Sequence, residues 1–140
     1  MLVICDIDHF KRFNDKYGHL VGDEYLRLVA EALIRVMRRP GDLVARYGGE
    51  EFVIVLSETG LEGVMTVVQM AQENVHMLRV PTGHPDVSTH VTLSFGVLHT
   101  IPRQGQEVKD ALRAADRALY EAKSQGRNCF VITEEVSLID

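Results

Sequence analysis

The sequence predicts an α/β (α+β) fold, a mixed central sheet flanked by helices and built on a ferredoxin-like βαββαβ core. Three observations carry this expectation. Strand-like and helix-like apolar patterns alternate along the chain in the order β-α-β-β-α-β-α-β. The one break in that alternation is a pair of strand-like runs joined at Gly48-Gly49, a hairpin signal. The 140 residues, 46% apolar and 25% charged, suit one soluble domain with one hydrophobic core.

Leu2-Val3-Ile4-Cys5 is a nearly continuous apolar run, as expected of a central strand buried on both faces. It begins with no preceding cap or element, as expected of a chain cut from something longer. A polar stretch follows from Asp6 to Asp23, with turn signals at Asn14-Asp15 and Gly18. Tyr25, Leu28, Val29, Ala32, Leu33 and Val36 then recur with helical spacing. Pro40-Gly41 ends this helix, and Arg38 and Arg39 are expected in its last turn, where cations suit the macrodipole.

Leu43–Tyr47 and Phe52–Leu56 read as the hairpin strands. Val64, Val67, Val68, Ala71, Val75 and Leu78 mark one face of a second helix starting near Leu61. Pro81 to Ser88 is expected to be a polar loop, and Val91–Leu98 a strand. Val108, Ala111, Leu112, Ala115, Leu119 and Ala122 predict a third helix ending near Gly126, before a last strand at Cys129–Ile132. The acidic tail, residues 133–140, is expected to lie outside the domain and to fray.

Charge and composition exclude several classes of function. With 15 Lys+Arg against 20 Asp+Glu, the net charge of −5 opposes broad nucleic-acid binding. No apolar run reaches the roughly 18 residues of a membrane span, and no signal-peptide pattern is visible, so no membrane contact from this chain and a cytoplasmic location are expected. Cys5 and Cys129 lack metal-site spacing and read as buried thiols in a reducing compartment.

The chemistry concentrates at two places. Asp6-Ile7-Asp8 closes the first strand, where α/β proteins tend to bind ligands. Read alone, Asp8 starts a turn and Asp6 is a solvated strand end. Gly48-Gly49-Glu50-Glu51 sits at the hairpin, where the glycines permit a tight turn and close approach of a ligand. In a ferredoxin-like sheet this hairpin neighbours the first strand, so Asp6, Asp8, Glu50 and Glu51 can converge. Like charges about 4 Å apart repel by about 4 kcal/mol at an effective dielectric of 20, so such a cluster needs a cation. Hard carboxylate oxygens favour Mg²⁺ or Mn²⁺, commonly shared with substrate phosphates. Lys11 follows the acidic turn, and Lys123 and Arg127 stand i and i+4 at the end of the third helix. Asn14 and Asp23 have the groups to read a guanine edge, but taken alone they are equally an Asx turn and a helix cap, and the cap is favoured for Asp23.

Taken together, Asp6-Ile-Asp-His-Phe-Lys-Arg-Phe-Asn-Asp15, Gly18-His-Leu-Val-Gly-Asp23 and Arg46-Tyr-Gly-Gly-Glu-Glu-Phe52 resemble the GGDEF family of diguanylate cyclases. Thr92-Leu-Ser-Phe-Gly-Val97, Ala115-Asp-Arg-Ala-Leu-Tyr-Glu-Ala-Lys123 and Gly126-Arg-Asn128 resemble its later signatures. The resemblance spans Leu2 to about Ile132, giving a domain at 1–132, and it implies kinship with nucleotidyl cyclases and polymerase palms. Glu50 stands where the signature has Asp, a common variant.

The resemblance implies that two GTP condense into cyclic di-GMP with release of two pyrophosphates, each GTP held by one of two facing domains. It assigns a metal, Mg²⁺ or Mn²⁺, to the Asp6 carboxylate, the Ile7 carbonyl and Glu50. It assigns deprotonation of the ribose 3′-hydroxyl to Glu50, with Glu51 assisting. Lys11 is implied to stabilise the transferring phosphoryl group. Lys123 and Arg127, with turn amides near His9 and Phe10, are implied to hold the terminal phosphates. Asn14 and Asp23 are implied to read guanine, with His19 lining the same site. Arg39-Pro-Gly-Asp42 matches an inhibitory product site, although the neighbourhood of the second helix, Val68-Gln-Met-Ala-Gln-Glu73, lacks the arginine that often accompanies it.

The family pattern also implies a helix and an Asp-x-Leu-Thr-type segment before the first strand, and upstream sensor or coiled-coil segments that pair two domains. The parent protein is then either cytoplasmic or a membrane-bound sensor with this domain on its cytoplasmic side. The competing reading is a catalytically weak GGDEF-like module that binds GTP or cyclic di-GMP as a sensor. The joint presence of Asp6, Lys11, Glu50 and Glu51 favours the enzyme. A cyclase or palm relative of other base specificity shares the metal logic but not the Asn14/Asp23 pair.

Overall fold

The first strand is the centre of the architecture, as its apolar run demands. In the computed structural model, which describes residues 1–83 and 90–134, β1 (Leu2–Ile7) lies between β3 (Glu51–Val55) and β4 (Leu93–His99), antiparallel to both. β2 (Leu43–Gly48) pairs with β3 as a hairpin, and β5 (Phe130–Glu134) pairs in parallel with β4. The sheet order is therefore β2-β3-β1-β4-β5, a ferredoxin-like arrangement with one parallel edge strand.

Helices cover both faces. The main core joins Val3, Cys5, Ile7, Phe52, Ile54 and Phe95 of the sheet to α1 (Phe10–Tyr17), α2 (His19–Ile34) and α3 (Leu61–Met77). Val64, Val68, Ala71 and Val75 are the buried stripe of α3, as their spacing predicts. On the opposite face, α4 (Val108–Ser124) packs Ala115 and Leu119 against Ile4 and Leu98. Full burial of a leucine, isoleucine or valine side chain among these contributes about 1.5–3 kcal/mol. Gly96 makes the close approach of α4 possible: a Cβ there would lie 2.1 Å from the Ala115 carbonyl oxygen and 2.3 Å from the Leu119 nitrogen.

Several expectations need correction. The polar stretch after the first strand is not a loop: it contains α1, and α2 begins at His19 rather than after Asp23. Gly18 precedes α2 as its cap residue, so Asp23 lies inside the helix and does not cap it. Asn14 lies inside α1 and makes no Asx turn. At its other end α2 stops at Ile34, so Arg38 and Arg39 belong to the following loop and not to its last turn. Thr133 and Glu134, expected in the tail, continue β5, and Glu134 approaches His99 at 3.6 Å. Val108, expected on the buried stripe of α4, is 74% exposed. Cys5 is a buried free thiol, and Cys129 is free but only half-buried. Most of the expected loop, residues 84–89, and the rest of the expected tail, residues 135–140, lie outside the described residues. No described helix is long and apolar enough to cross a membrane.

Candidate active site

The ladder brings the two acidic motifs together. Asp6 pairs in register with Glu51 across β1 and β3, and the Ile7 N–H donates to the Glu50 carbonyl at 3.3 Å. Because directly paired residues share a face, Asp6 and Glu51 both point towards α4. From the last turn of α4, Lys123 Nζ forms an ion pair with Asp6 Oδ2. Asp6 is thus 4% exposed and not a solvated strand end.

The electrostatics of this cluster are unbalanced. Burial pushes the Asp6 carboxyl up to about 6, against the lowering effect of Lys123, and the charges of Glu50 and Glu51 raise it further. Glu51 is also raised, first by burial and then by Asp116 on α4. One ammonium therefore faces several carboxylates at the carboxyl end of β1. An all-oxygen donor set with excess negative charge fits a hard divalent cation. Asp6, Glu50 and the Ile7 carbonyl could hold one, although no group of three or more candidate ligand side chains is assembled among the described residues.

Asp8 leaves this cluster. Its carboxylate, also 4% exposed, accepts from Thr92 Oγ1 at 2.7 Å, Ser94 Oγ at 2.6 Å and the Asn128 N–H at 3.0 Å. It stands at the start of the turn after β1, as read from the sequence, but it is a buried tie and not a member of the acid group. The local sequence does not announce this, because all three donors lie 84 to 120 residues away.

The hairpin shows a second role that the sequence reading missed. Arg46 donates from Nε and Nη2 to the Gly49 carbonyl at 3.1 and 2.9 Å, bracing the turn that carries Glu50. Gly48 and Gly49 are not among the glycines with positive φ, so the turn does not demand glycine for its torsions. A Cβ at either would meet nothing within 4 Å, which leaves close approach of a ligand as the better reason for them.

The remaining candidates flank this centre. His9 takes the left-handed conformation (φ 56°) before α1, and no side chain caps that helix start. Its first-turn N–H groups, from Phe10 on, therefore lack intrahelical acceptors and suit an anion. Lys11 is exposed on the same turn, and Arg127 is exposed just past α4. Asn14 Oδ1 is buried without a hydrogen-bond partner. It points at Gly22, where a Cβ would fall 1.8 Å from it. Asp23 and Arg46 line one hollow with Leu26, Arg27, Val44 and Phe52, and His19 is exposed at the start of α2.

Arg39 and Asp42 lie apart from the acid cluster, in a hollow shared with Thr59, Thr66 and Met70. Both are tied to backbone. Asp42 accepts from the Arg38, Arg39 and Ser57 N–H groups, and Arg39 Nη1 donates to the carbonyls of Ser57 and Glu58.

A glutamate pair on a glycine hairpin beside a strand-end aspartate is the geometry, and comparison with known proteins gives it a family. The family described as "Diguanylate cyclase, GGDEF domain" matches residues 1–129. The chain belongs to the GGDEF diguanylate cyclase domain family. The chain is 37% identical over 139 residues to probable diguanylate cyclase DgcT of Escherichia coli K12, covering 99% of this chain and 30% of that protein. It is 38% identical over 128 residues to diguanylate cyclase VdcA of Vibrio cholerae, covering 91% and 37%. It thus spans about a third of the length of these curated relatives. Among solved structures, the active GGEEF domain of a Vibrio cholerae diguanylate cyclase superimposes with a TM-score of 0.78 at 32% identity, covering 96% of this chain and 82% of that one. The GGDEF domain of DgcB from Caulobacter crescentus, solved with c-di-GMP, has a TM-score of 0.78 at 34% identity, covering 95% and 75%. GGDEF diguanylate cyclases are in general metal-dependent, which agrees with the oxygen-rich site and its excess negative charge in this GGDEF domain.

Proposed function

We propose that this GGDEF domain condenses two GTP into cyclic di-GMP and two pyrophosphates. The observation that carries the reading is the in-register pairing of Asp6 with Glu51, next to Glu50, with the Lys123–Asp6 ion pair at the end of β1. Asp6, Glu50 and the Ile7 carbonyl would hold a divalent cation, Mg²⁺ or Mn²⁺, which when bound would offset charge on the phosphates and make the attacking hydroxyl more acidic. Glu50 accepts the proton of the ribose 3′-hydroxyl, and Glu51 supports it. The 3′ oxygen bonds to the α-phosphorus of the facing GTP, and the bond to the β-phosphate bridging oxygen breaks. Lys11 offsets charge on the transferring group, while Lys123, Arg127 and the first amides of α1 hold the departing pyrophosphate. Asn14 and Asp23 hydrogen-bond the guanine edge, with His19 beside them.

One domain supplies one nucleotide and one base, so the product needs a second copy facing the first. Cyclic di-GMP is then both product and, at Arg39 and Asp42, inhibitor. The receptor reading, binding without turnover, is disfavoured because Asp6, Lys11, Glu50 and Glu51 are all present. The test is product identification by chromatography after incubation with GTP and Mg²⁺, using the domain fused to a parallel dimerising coiled coil. Cyclic di-GMP is expected, with no cyclic product from ATP. GTP binding without any cyclic product would leave the receptor reading instead.

A further inference from the structure

Asp8 has no part in the chemistry above, yet its carboxylate is as buried as that of Asp6. Burying a carboxylate is costly unless donors satisfy it, so three donors assembled from distant segments indicate a specific task. Two of them, Thr92 and Ser94, belong to the strand beside β1 or its entry. The third is the Asn128 N–H, in the turn that follows α4.

That turn is unusual. Gly126, Arg127 and Asn128 all have positive φ, at 110°, 65° and 47°. Asn tolerates this conformation, but for Arg127 it is sterically disfavoured and persists only where the surroundings impose it. From the α4 side, the Gly126 N–H donates to the Lys123 carbonyl at 3.3 Å and the Arg127 N–H to the Ala122 carbonyl at 3.2 Å. Beyond the turn, the Phe95 N–H donates to the Cys129 carbonyl at 3.0 Å. Asp8 supplies the hold on the turn itself, and it does so from the end of β1. It therefore joins the segment carrying Asp6 to the segment carrying Lys123 and Arg127.

We propose that Asp8 is a positioning residue for the terminal phosphates: by clamping the Gly126–Asn128 turn it aims Arg127, and with it the end of α4, at the pyrophosphate portion of the nucleotide. The inference rests on the nucleotide reading given above. A carboxylate is suited to the task because it accepts from all three donors at once. An amide comes close: its oxygen still accepts from Thr92 and Asn128, while its NH₂ donates to the Ser94 hydroxyl, which can turn to accept. Alanine removes every acceptor and leaves the strained turn unsupported.

The experiment is calorimetric titration of wild type, Asp8→Ala, Asp8→Asn and Thr92→Val with two probes, magnesium pyrophosphate and GMP. In Asp8→Ala the pyrophosphate Kd should rise about tenfold or more while GMP, read at the base, changes by less than about twofold. Asp8→Asn should restore pyrophosphate binding to within about threefold of wild type. Should Asp8→Ala fail to fold, Thr92→Val, which removes one donor from the same carboxylate oxygen that holds Asn128, carries the test with a rise of about threefold. A folded Asp8→Ala with wild-type pyrophosphate affinity overturns the inference, as does equal loss of both probes or, where Thr92→Val decides, no change in it. If the wild type binds neither probe, the nucleotide reading itself falls and the inference falls with it. If the wild type binds both and the variants are indifferent, only the role of Asp8 is lost.

Discussion

The two ends of the central sheet are built on opposite principles. At the end where β1 runs out, Asp6 pairs with Lys123 while the charges of Glu50 and Glu51 act on it, and left-handed residues occur at His9, Arg127 and Asn128. At the end where β1 begins, Met1, Leu2, Val55, Leu56, Ile101 and Ala111 line an apolar hollow, with ordinary backbone pairing such as the Leu56 N–H to the Met1 carbonyl at 3.0 Å. The first end holds charges that repel, and this rather than torsion separates the two, because Glu58 (φ 48°) lines the hollow at the second. The second buries apolar surface, which stabilises. Function and stability are therefore separable here, and variants at each end should affect one without the other.

The largest effect is expected from Glu50→Gln in the dimerised domain. It keeps shape, removes the base and one metal ligand charge, and should lower cyclic di-GMP formation by about a thousandfold or more. Its thermal midpoint should be no lower than wild type, because one charge that raises Asp6 is gone. A large loss of thermal stability would break the contrast between the two ends. At the other end, Leu56→Ala should cost about 2–5 kcal/mol in a denaturant titration, since this side chain is only 1% exposed. At temperatures where that variant stays folded, its GTP turnover should match wild type.

The degree to which each end was legible in the sequence follows the same division. β1, the hairpin and the stripes of α3 and α4 were readable because continuous or periodic apolar residues are what bury. α1 was not: Phe10, Phe13 and Tyr17 have helical spacing, but eight residues otherwise rich in charge look like a loop. With α1 missed, Asp23 was placed before a helix rather than inside one. The pairing of Asp6 with Glu51 was foreseeable from the topology. The burial of Asp8 was not, because its donors come from Thr92, Ser94 and Asn128. Nor was the Arg46 brace on Gly49, whose signal was only an arginine next to a hairpin.

Smaller effects sharpen the division within the functional end. Asp23→Ala leaves guanine donors unpaired, and selectivity for GTP over ATP in competition binding should fall by about tenfold or more. An unchanged preference would remove Asp23 from base recognition, and its place inside α2 excludes a return to capping. The smallest change is expected at Arg39, away from the acid cluster. Arg39→Ala should weaken cyclic di-GMP binding by about tenfold, the loss of one charge-assisted contact, with GTP affinity unchanged. Because Arg39 also braces the Ser57 and Glu58 carbonyls, a modest drop in thermal midpoint should accompany it. Equal product affinity in calorimetry would confine Arg39 to that bracing.

The central claim is that each domain holds half of a two-nucleotide reaction. Its most direct test is the dilution series of the unfused domain, with cyclic di-GMP and pyrophosphate measured together. The account predicts two pyrophosphates per cyclic di-GMP and a specific activity that rises with protein concentration, while a coiled-coil fusion raises activity and flattens that dependence. A constant specific activity across the series, in protein shown to be monomeric by light scattering, would contradict it.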